Sequence, residues 1–235
     1  MQRQSAELKR IARGNLISNF AVPMGAMVFS SLVQSVPLLF FSRNLTENSA
    51  VREWIIYYLA SFVLGLIGTV FSAGNIRIAL KIARKEEYRF GDLFYAFKHH
   101  PDKYIWARLF ILLVTTLPIL PGIGIYVISC HIYSISLLVL GVLFMLAGAA
   151  VSVVITLKYA LAEVLLLDCE QMTVMRAMHE SGRMMKGNKR RLFYLTLSFI
   201  GLWLLGLLSF GIGFLWVVPY VIQTRTVFYL ELAGK

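Results

Sequence analysis

Charged residues are scarce in this chain. Asp, Glu, Lys and Arg make up 15% of its 235 residues, where a soluble domain carries about a quarter. Hydrophobic residues reach 58% and the mean hydropathy is +0.72, so the chain needs lipid as its solvent. Cysteine is nearly absent. Cys130 and Cys169 stand far apart without a C-x-x-C pair or metal-type spacing, and both read as packing residues. No G-x-S-x-G, H-E-x-x-H, glycine-rich phosphate loop or carboxylate cluster occurs. These absences point away from an enzyme and give no reason to expect a cofactor or a metal. Adjacent His99 and His100 cannot both face one metal from a regular helix.

Acidic residues are scarcer than basic ones: 12 against 23, for a net charge of +11. The Lys and Arg residues fall between long apolar runs instead of forming a basic domain, which argues against nucleic acid and for anionic lipid headgroups.

A membrane helix needs about 20 apolar residues. Six stretches qualify: about 16–41, 54–76, 104–129, 134–157, 190–209 and 212–231. Arg3, Lys9, Arg10 and Arg13 precede the first, which is too long for a signal-peptide core and lacks a cleavage site, so it reads as a retained span. Residues 105–157 are too long for one crossing, and Ser129-Cys130-His131 is the natural turn. Ser209-Phe210-Gly211-Ile212-Gly213 supplies the last reversal, with two permissive glycines. The expectation is an all-α integral membrane protein: six transmembrane helices in three hairpins, forming one membrane domain, each hairpin preceded by a cytoplasmic amphipathic segment. With both termini inside, 21 of the 23 Lys and Arg face the cytoplasm, and only Arg43 and Arg52 lie outside.

Small residues recur every four positions at Ser61, Gly65, Thr69 and Ala73, and again at Gly148, Ser152 and Thr156. These are expected packing seams between helices. Arg13-Gly14-Asn15 and Lys186-Gly187-Asn188 open the first and third hairpins in the same way, a pattern of duplication. Phe90, Phe94 and Phe97 form an aromatic stripe before the second, read as an interfacial anchor.

The segment before the third hairpin is the most amphipathic. On a helix, Val174, Met178, Ser181 and Met185 share one face, and Arg176, His179, Arg183 and Lys186 lie roughly opposite. Such a helix is expected to lie in the inner headgroup layer, methionines in the acyl chains and cations on anionic lipid or on a membrane-protein partner. Arg77 is expected to snorkel to the headgroups. Arg225 is the deepest intramembrane charge, with Glu231, Glu163 and Asp168 as candidate partners. Pro118, Pro121 and Pro219 are expected to kink the third and sixth spans. Asn44-Leu45-Thr46 matches a glycosylation sequon on the outer side.

The carboxyl-terminal third carries Met184-Met185-Lys186-Gly187-Asn188-Lys189, Leu197-Ser198-Phe199-Ile200-Gly201, Gly211-Ile212-Gly213, Trp216, Pro219-Tyr220 and Phe228-Tyr229. Over about 168–232 these residues resemble a bacterial family of multi-pass membrane proteins known as domain of unknown function 975. Gly91-Asp92-Leu93-Phe94 and Pro121-Gly122-Ile123 extend the resemblance. At the turn after the fourth span, where that family has Asp-Asn-Pro, this chain has Asp168-Cys169-Glu170. The arrangement also resembles, more loosely, the membrane domain of some glycerophosphodiester phosphodiesterases, whose catalytic domain it lacks. The family resemblance implies a bacterial plasma membrane and no particular activity. The expected role is a non-enzymatic organising or accessory protein that contacts lipid or a partner through its basic face. The alternative is a transporter or channel for a small or lipid-like solute.

Overall fold

The computed structural model describes residues 4–43, 45 and 50–234. Arg3, Lys235, and the Asn44 and Thr46 of the sequon lie outside the described residues. Among the described residues the chain is all-α, with no strand. Its helices are α1 (Ser5–Leu16), α2 (Ala21–Ser42), α3 (Val51–Arg84), α4 (Tyr95–Lys98), α5 (Pro101–Thr116), α6 (Leu120–Ile132), α7 (Ile135–Tyr159), α8 (Ala162–Asp168), α9 (Val174–Met184), α10 (Lys189–Leu197), α11 (Ile200–Leu208) and α12 (Phe214–Ala233).

Among the described residues, five stretches are long and apolar enough to cross a bilayer: Ala21–Ser42, Val51–Arg84, Pro101–Ile132, Ile135–Asp168 and Lys189–Leu208. At most 22% of the most apolar window of any of them is buried within the protein. Their apolar side chains therefore point outward, which only a lipid solvent tolerates over such an area. The sixth expected span corresponds to α12, which does not join this group. Gln223, Thr224, Arg225 and Thr226 interrupt its apolar run.

The first span begins later than expected. The chain turns at 17–20, so Leu16 ends α1 and the long apolar stretch starts in α2. The expected likeness of the two Gly-Asn openings is not matched by conformation. Gly14 is helical inside α1, whereas Gly187 is left-handed at φ +85°.

Two compact units make up the chain. The first comprises Met1–Ile105 and Tyr194–Lys235. Its core gathers Leu16, Ala26, Phe71, Ile78, Ile82 and Leu93. Leu8, Ala12 and Leu16, four residues apart along α1, are all buried, and α1 packs on α12 and α3. Lys9 Nζ donates to Ser198 O at 2.8 Å and stands 4.2 Å from the Phe199 ring. Tyr220 Oη donates to Lys9 O at 3.2 Å.

α3 spans about 51 Å at 1.5 Å per residue, longer than the hydrocarbon core, and only its second half is buried, from Val70 onward. There a 3-10 turn, Phe90–Phe94, folds back onto it. Phe90 and Phe94 meet Phe29 at 5.8 and 5.6 Å between ring centroids, and Phe97 meets Phe71 at 4.9 Å. The aromatic stripe is thus spent largely on intramolecular packing and not on interfacial anchoring alone. Gly74 is required at this contact, because a Cβ there would overlap the backbone of Leu93. Arg77 does not snorkel: its guanidinium carbon lies 3.3 Å from the Tyr95 ring centroid and its Nε 3.9 Å from Asp92.

The expected seam on α3 is packed at Ala73, which is buried, but open at Gly65. A Cβ on Gly65 would meet nothing within 4 Å, whereas Gly68 and Gly74 are the positions of close approach.

The second unit is Trp106–Phe193. Its hairpin pairs α6 with α7, and α5 gives way to α6 through a 3-10 turn, Leu117–Ile119, at the expected proline break. Here the seam on α7 is confirmed at Gly148 and Ser152. A Cβ on Gly148 would overlap the Pro118 carbonyl, and Ser152 Oγ donates to the carbonyl of Thr115. Thr156 is exposed and its hydroxyl only back-bonds to Ser152 O. Reversal occurs at Tyr133, in the left-handed region at φ +54°, a few residues beyond Ser129-Cys130-His131. Ser134 Oγ accepts from Leu137 N and caps α7. Cys130 is exposed and so is not a packing residue.

The break between α11 and α12 falls at the expected Ser209–Gly213. Gly211 is left-handed at φ +90°, and Gly213 N donates to Ser209 Oγ at 2.8 Å.

Candidate functional site

The site is built at the end of α7, where Lys158 is the first charge after the uncharged run 135–157. α8 and α9 follow and pack on each other, with α9 also against α7. Ser181 secures this junction. Fully buried, its Oγ donates to Lys158 O at 2.9 Å and accepts from Leu161 N at 3.3 Å, satisfying groups freed where α7 ends. The turn into α9 closes without Asp-Asn-Pro, since Met172 N donates to Cys169 O at 2.8 Å.

Of the expected apolar face of α9, Val174 is only partly buried. Ala177, Met178, Ser181 and Met185 are buried, while Arg176, His179, Arg183 and Lys186 are exposed. One expectation is corrected. Met178 and Met185 are 3% and 0% exposed, so they pack inside the protein and do not enter acyl chains, because α7 and α8 already cover that face. Met175, at 66%, is the methionine left outside.

The four cations are not equivalent. His179 and Arg183 line a cleft of about 430 Å³ together with Lys158, Phe110, Tyr159, Met175, Met178 and Gly182. Arg176 and Lys186 are not among its lining residues. Small-molecule pockets run from roughly 300 to 1,000 Å³. The missing side chain of Gly182 shapes the cleft: a Cβ there would come within 3.2 Å of Lys158 Cε, so the lysine stem lies across α9 at that point. Lys158 Nζ is 5.0 Å from the Tyr159 ring centroid, and Phe110 meets that ring edge-on at 5.9 Å. Arg183 Nη2 donates to Glu180 Oε1 at 2.8 Å. The result is an apolar wall with a cationic rim.

Arg225, on α12, is the other expected site residue. It is exposed on α12, while Gln223, Thr224 and Thr226 beside it are buried. The 100° step between successive helical residues carries Arg225 off the face its neighbours bury. Of its candidate partners, Glu163 stands 3.9 Å from Arg108. The deepest polar side chain that sequence reasoning missed is Gln223. It is fully buried, its amide N and O have no hydrogen-bond partner among the described residues, and it lines a small void with Asn75, Pro219 and Pro23. Its signal was Gln-Thr-Arg-Thr inside an apolar helix.

A second polar cluster was also missed. Lys81 Nζ donates to Asp92 Oδ1 at 2.7 Å, and Arg89 N donates to Asp92 Oδ2 at 2.8 Å. Burial alone would push the Asp92 carboxyl up. The Lys81 and Arg89 hydrogen bonds and the charges of Lys81 and Arg77 outweigh it and hold it below its ordinary value. On α1, burial pushes Lys9 down. His99 stacks on Tyr95 at 4.1 Å and its Nδ1 bonds Tyr95 O. Among the described residues no three His, Cys, Asp or Glu side chains gather as a metal site would need.

Residues 1–235 match the family model described as "Protein of unknown function (DUF975)". The chain belongs to the DUF975 family. The resemblance read from its carboxyl-terminal third thus extends over the whole DUF975 chain. Comparison with curated proteins and with solved structures returns no match. The likeness to the membrane domain of glycerophosphodiester phosphodiesterases finds no support.

Proposed function

We propose that this DUF975 protein is a non-enzymatic plasma-membrane protein that organises or assists other membrane components by gathering anionic lipid at a basic cytoplasmic face. The observation that carries the reading is the exposure of Arg176, His179, Arg183 and Lys186 on a helix whose opposite face is already buried. Cations held outward beside the end of an apolar helix are available to headgroups, and a Lys or Arg near an anionic surface contributes about 1 kcal/mol. Arg176, Arg183 and, just past α9, Lys186 together favour such a surface by at most roughly 3 kcal/mol, less what Glu180 offsets at Arg183.

The reading takes α12 as a sixth crossing, at 20 residues about 30 Å long, with both termini cytoplasmic. Every basic segment then meets the same leaflet. Purification in a mild detergent, followed by mass spectrometry of retained lipids and proteins, tests it. Enrichment of anionic over zwitterionic phospholipid relative to the source membrane is the expected result. Equal retention of both classes contradicts it.

Gln223 favours a second reading, transport of a small polar solute. A buried amide without a partner beside a void, with Pro219 in the same helix, resembles the discontinuous helices that build transport sites. Altered accumulation or efflux of a solute in cells lacking the protein would favour it.

A further inference from the structure

We infer that the cleft between the end of α7 and α9 is a defined site for one phospholipid molecule bearing a single phosphodiester, its phosphate held by Lys158, His179 and Arg183. The inference rests on the anionic-lipid reading above and narrows it from a charged face to one stoichiometric ligand.

Three observations converge on this occupant. Polarity is the first: Phe110, Tyr159 and Met175 form an apolar wall, and Lys158, His179 and Arg183 a cationic rim, so the ligand must be anionic at one end and apolar at the other. Position is the second. Lys158 marks the end of the uncharged run 135–157, the depth at which a lipid's phosphate meets its acyl chains.

Charge is the third. Glu180 accepts from Arg183 at 2.8 Å and offsets part of its charge, leaving Lys158 as the main uncompensated cation. One phosphodiester monoanion matches that balance. The zwitterionic lipids fit less well, because their amine would add a positive group beside the rim. Lys158 is held for the task by Gly182, across which its stem lies, with Cε 3.2 Å from where a Cβ would stand.

The test is a titration of the purified full chain with phosphatidylglycerol or phosphatidylcholine, read by native mass spectrometry as the occupancy of the first bound lipid. Wild-type protein should bind phosphatidylglycerol at least tenfold more tightly. Lys158→Gln and Arg183→Gln should each remove most of that preference, and Lys158→Arg should restore it. Gly182→Ala, which must displace the Lys158 stem, should weaken binding severalfold. Arg176→Gln and Lys186→Gln, whose side chains lie outside the cleft, should each cost clearly less of that preference than Lys158→Gln or Arg183→Gln. If Lys158→Gln does not fold, Arg183→Gln on the exposed helix surface gives the same reading. A uniform loss across all these variants overturns the discrete site and leaves the lipid-binding face standing. No preference for phosphatidylglycerol in the wild-type protein overturns both.

Discussion

The contact of Gly74 with Leu93 makes the sharpest stability prediction, because α3 carries its own control. Glycine to alanine in a helix interior is worth about 1 kcal/mol in favour of alanine by propensity alone. At Gly65, where a Cβ meets nothing, that gain should appear undiminished. At Gly74 the Cβ would collide with the Leu93 backbone, which cannot rotate away as a side chain can. Overpacking of this kind costs about 1–3 kcal/mol. Moving the 3-10 turn also disturbs the Lys81–Asp92 hydrogen bond, part-buried at 23% and 14% side-chain exposure. A hydrogen bond to a charged group contributes about 1.5–3 kcal/mol. With the propensity gain subtracted, net destabilisation of Gly74→Ala should therefore be about 1.5–5 kcal/mol, opposite in sign to Gly65→Ala. Thermal unfolding of both variants in one detergent separates the two. Equal shifts would refute the claim that the Phe90–Phe94 turn is packed onto α3 through Gly74.

Three further outcomes follow from the same geometry. The Asp92 carboxyl is depressed in the folded state, so its contribution is present above the unfolded value of about 3.9 and lost as pH falls through the folded one. Wild-type Tm should thus drop more steeply below about pH 4 than that of Asp92→Asn, which should start lower at neutral pH. Ser152→Ala leaves the Thr115 carbonyl unbonded by its hydroxyl and should cost about 1 kcal/mol in unfolding. Gln223→Met removes an amide without a partner among the described residues and should stabilise by about 1–3 kcal/mol; a lower Tm would show that this amide is satisfied in the folded protein.

The membrane class was legible in composition, because only lipid tolerates outward-facing runs such as 135–157. Both short reversals were near to hand, and Gly211 turned as its residue type requires. Helix ends were less legible. The break at 17–20 between α1 and α2 lies within a run whose hydropathy barely changes, so only the burial of Leu8, Ala12 and Leu16 against the protein separates α1 from the crossing. Along α9, periodicity cannot say whether an apolar face meets lipid or protein. Met178 and Met185 meet protein. Arg225 stands out in the sequence as the deepest charge in its helix, yet the buried neighbours are Gln223, Thr224 and Thr226. The cleft was hidden because Lys158 and Arg183 are 25 residues apart, and only the turn that lays α9 back on α7 joins them.

The central claim is that α9 faces the cytoplasm while the α6–α7 turn faces outward, and the protein carries its own reporters of sidedness. Cys130, exposed near the end of α6, and Cys169, partly exposed just past α8, are both free thiols that flank the apolar stretch Ile135–Asp168. With single-cysteine variants Cys130→Ser and Cys169→Ser, a membrane-impermeant maleimide should label Cys130 on intact cells and Cys169 only after permeabilisation. Labelling of Cys169 from outside, or of both thiols from one side, would contradict the account.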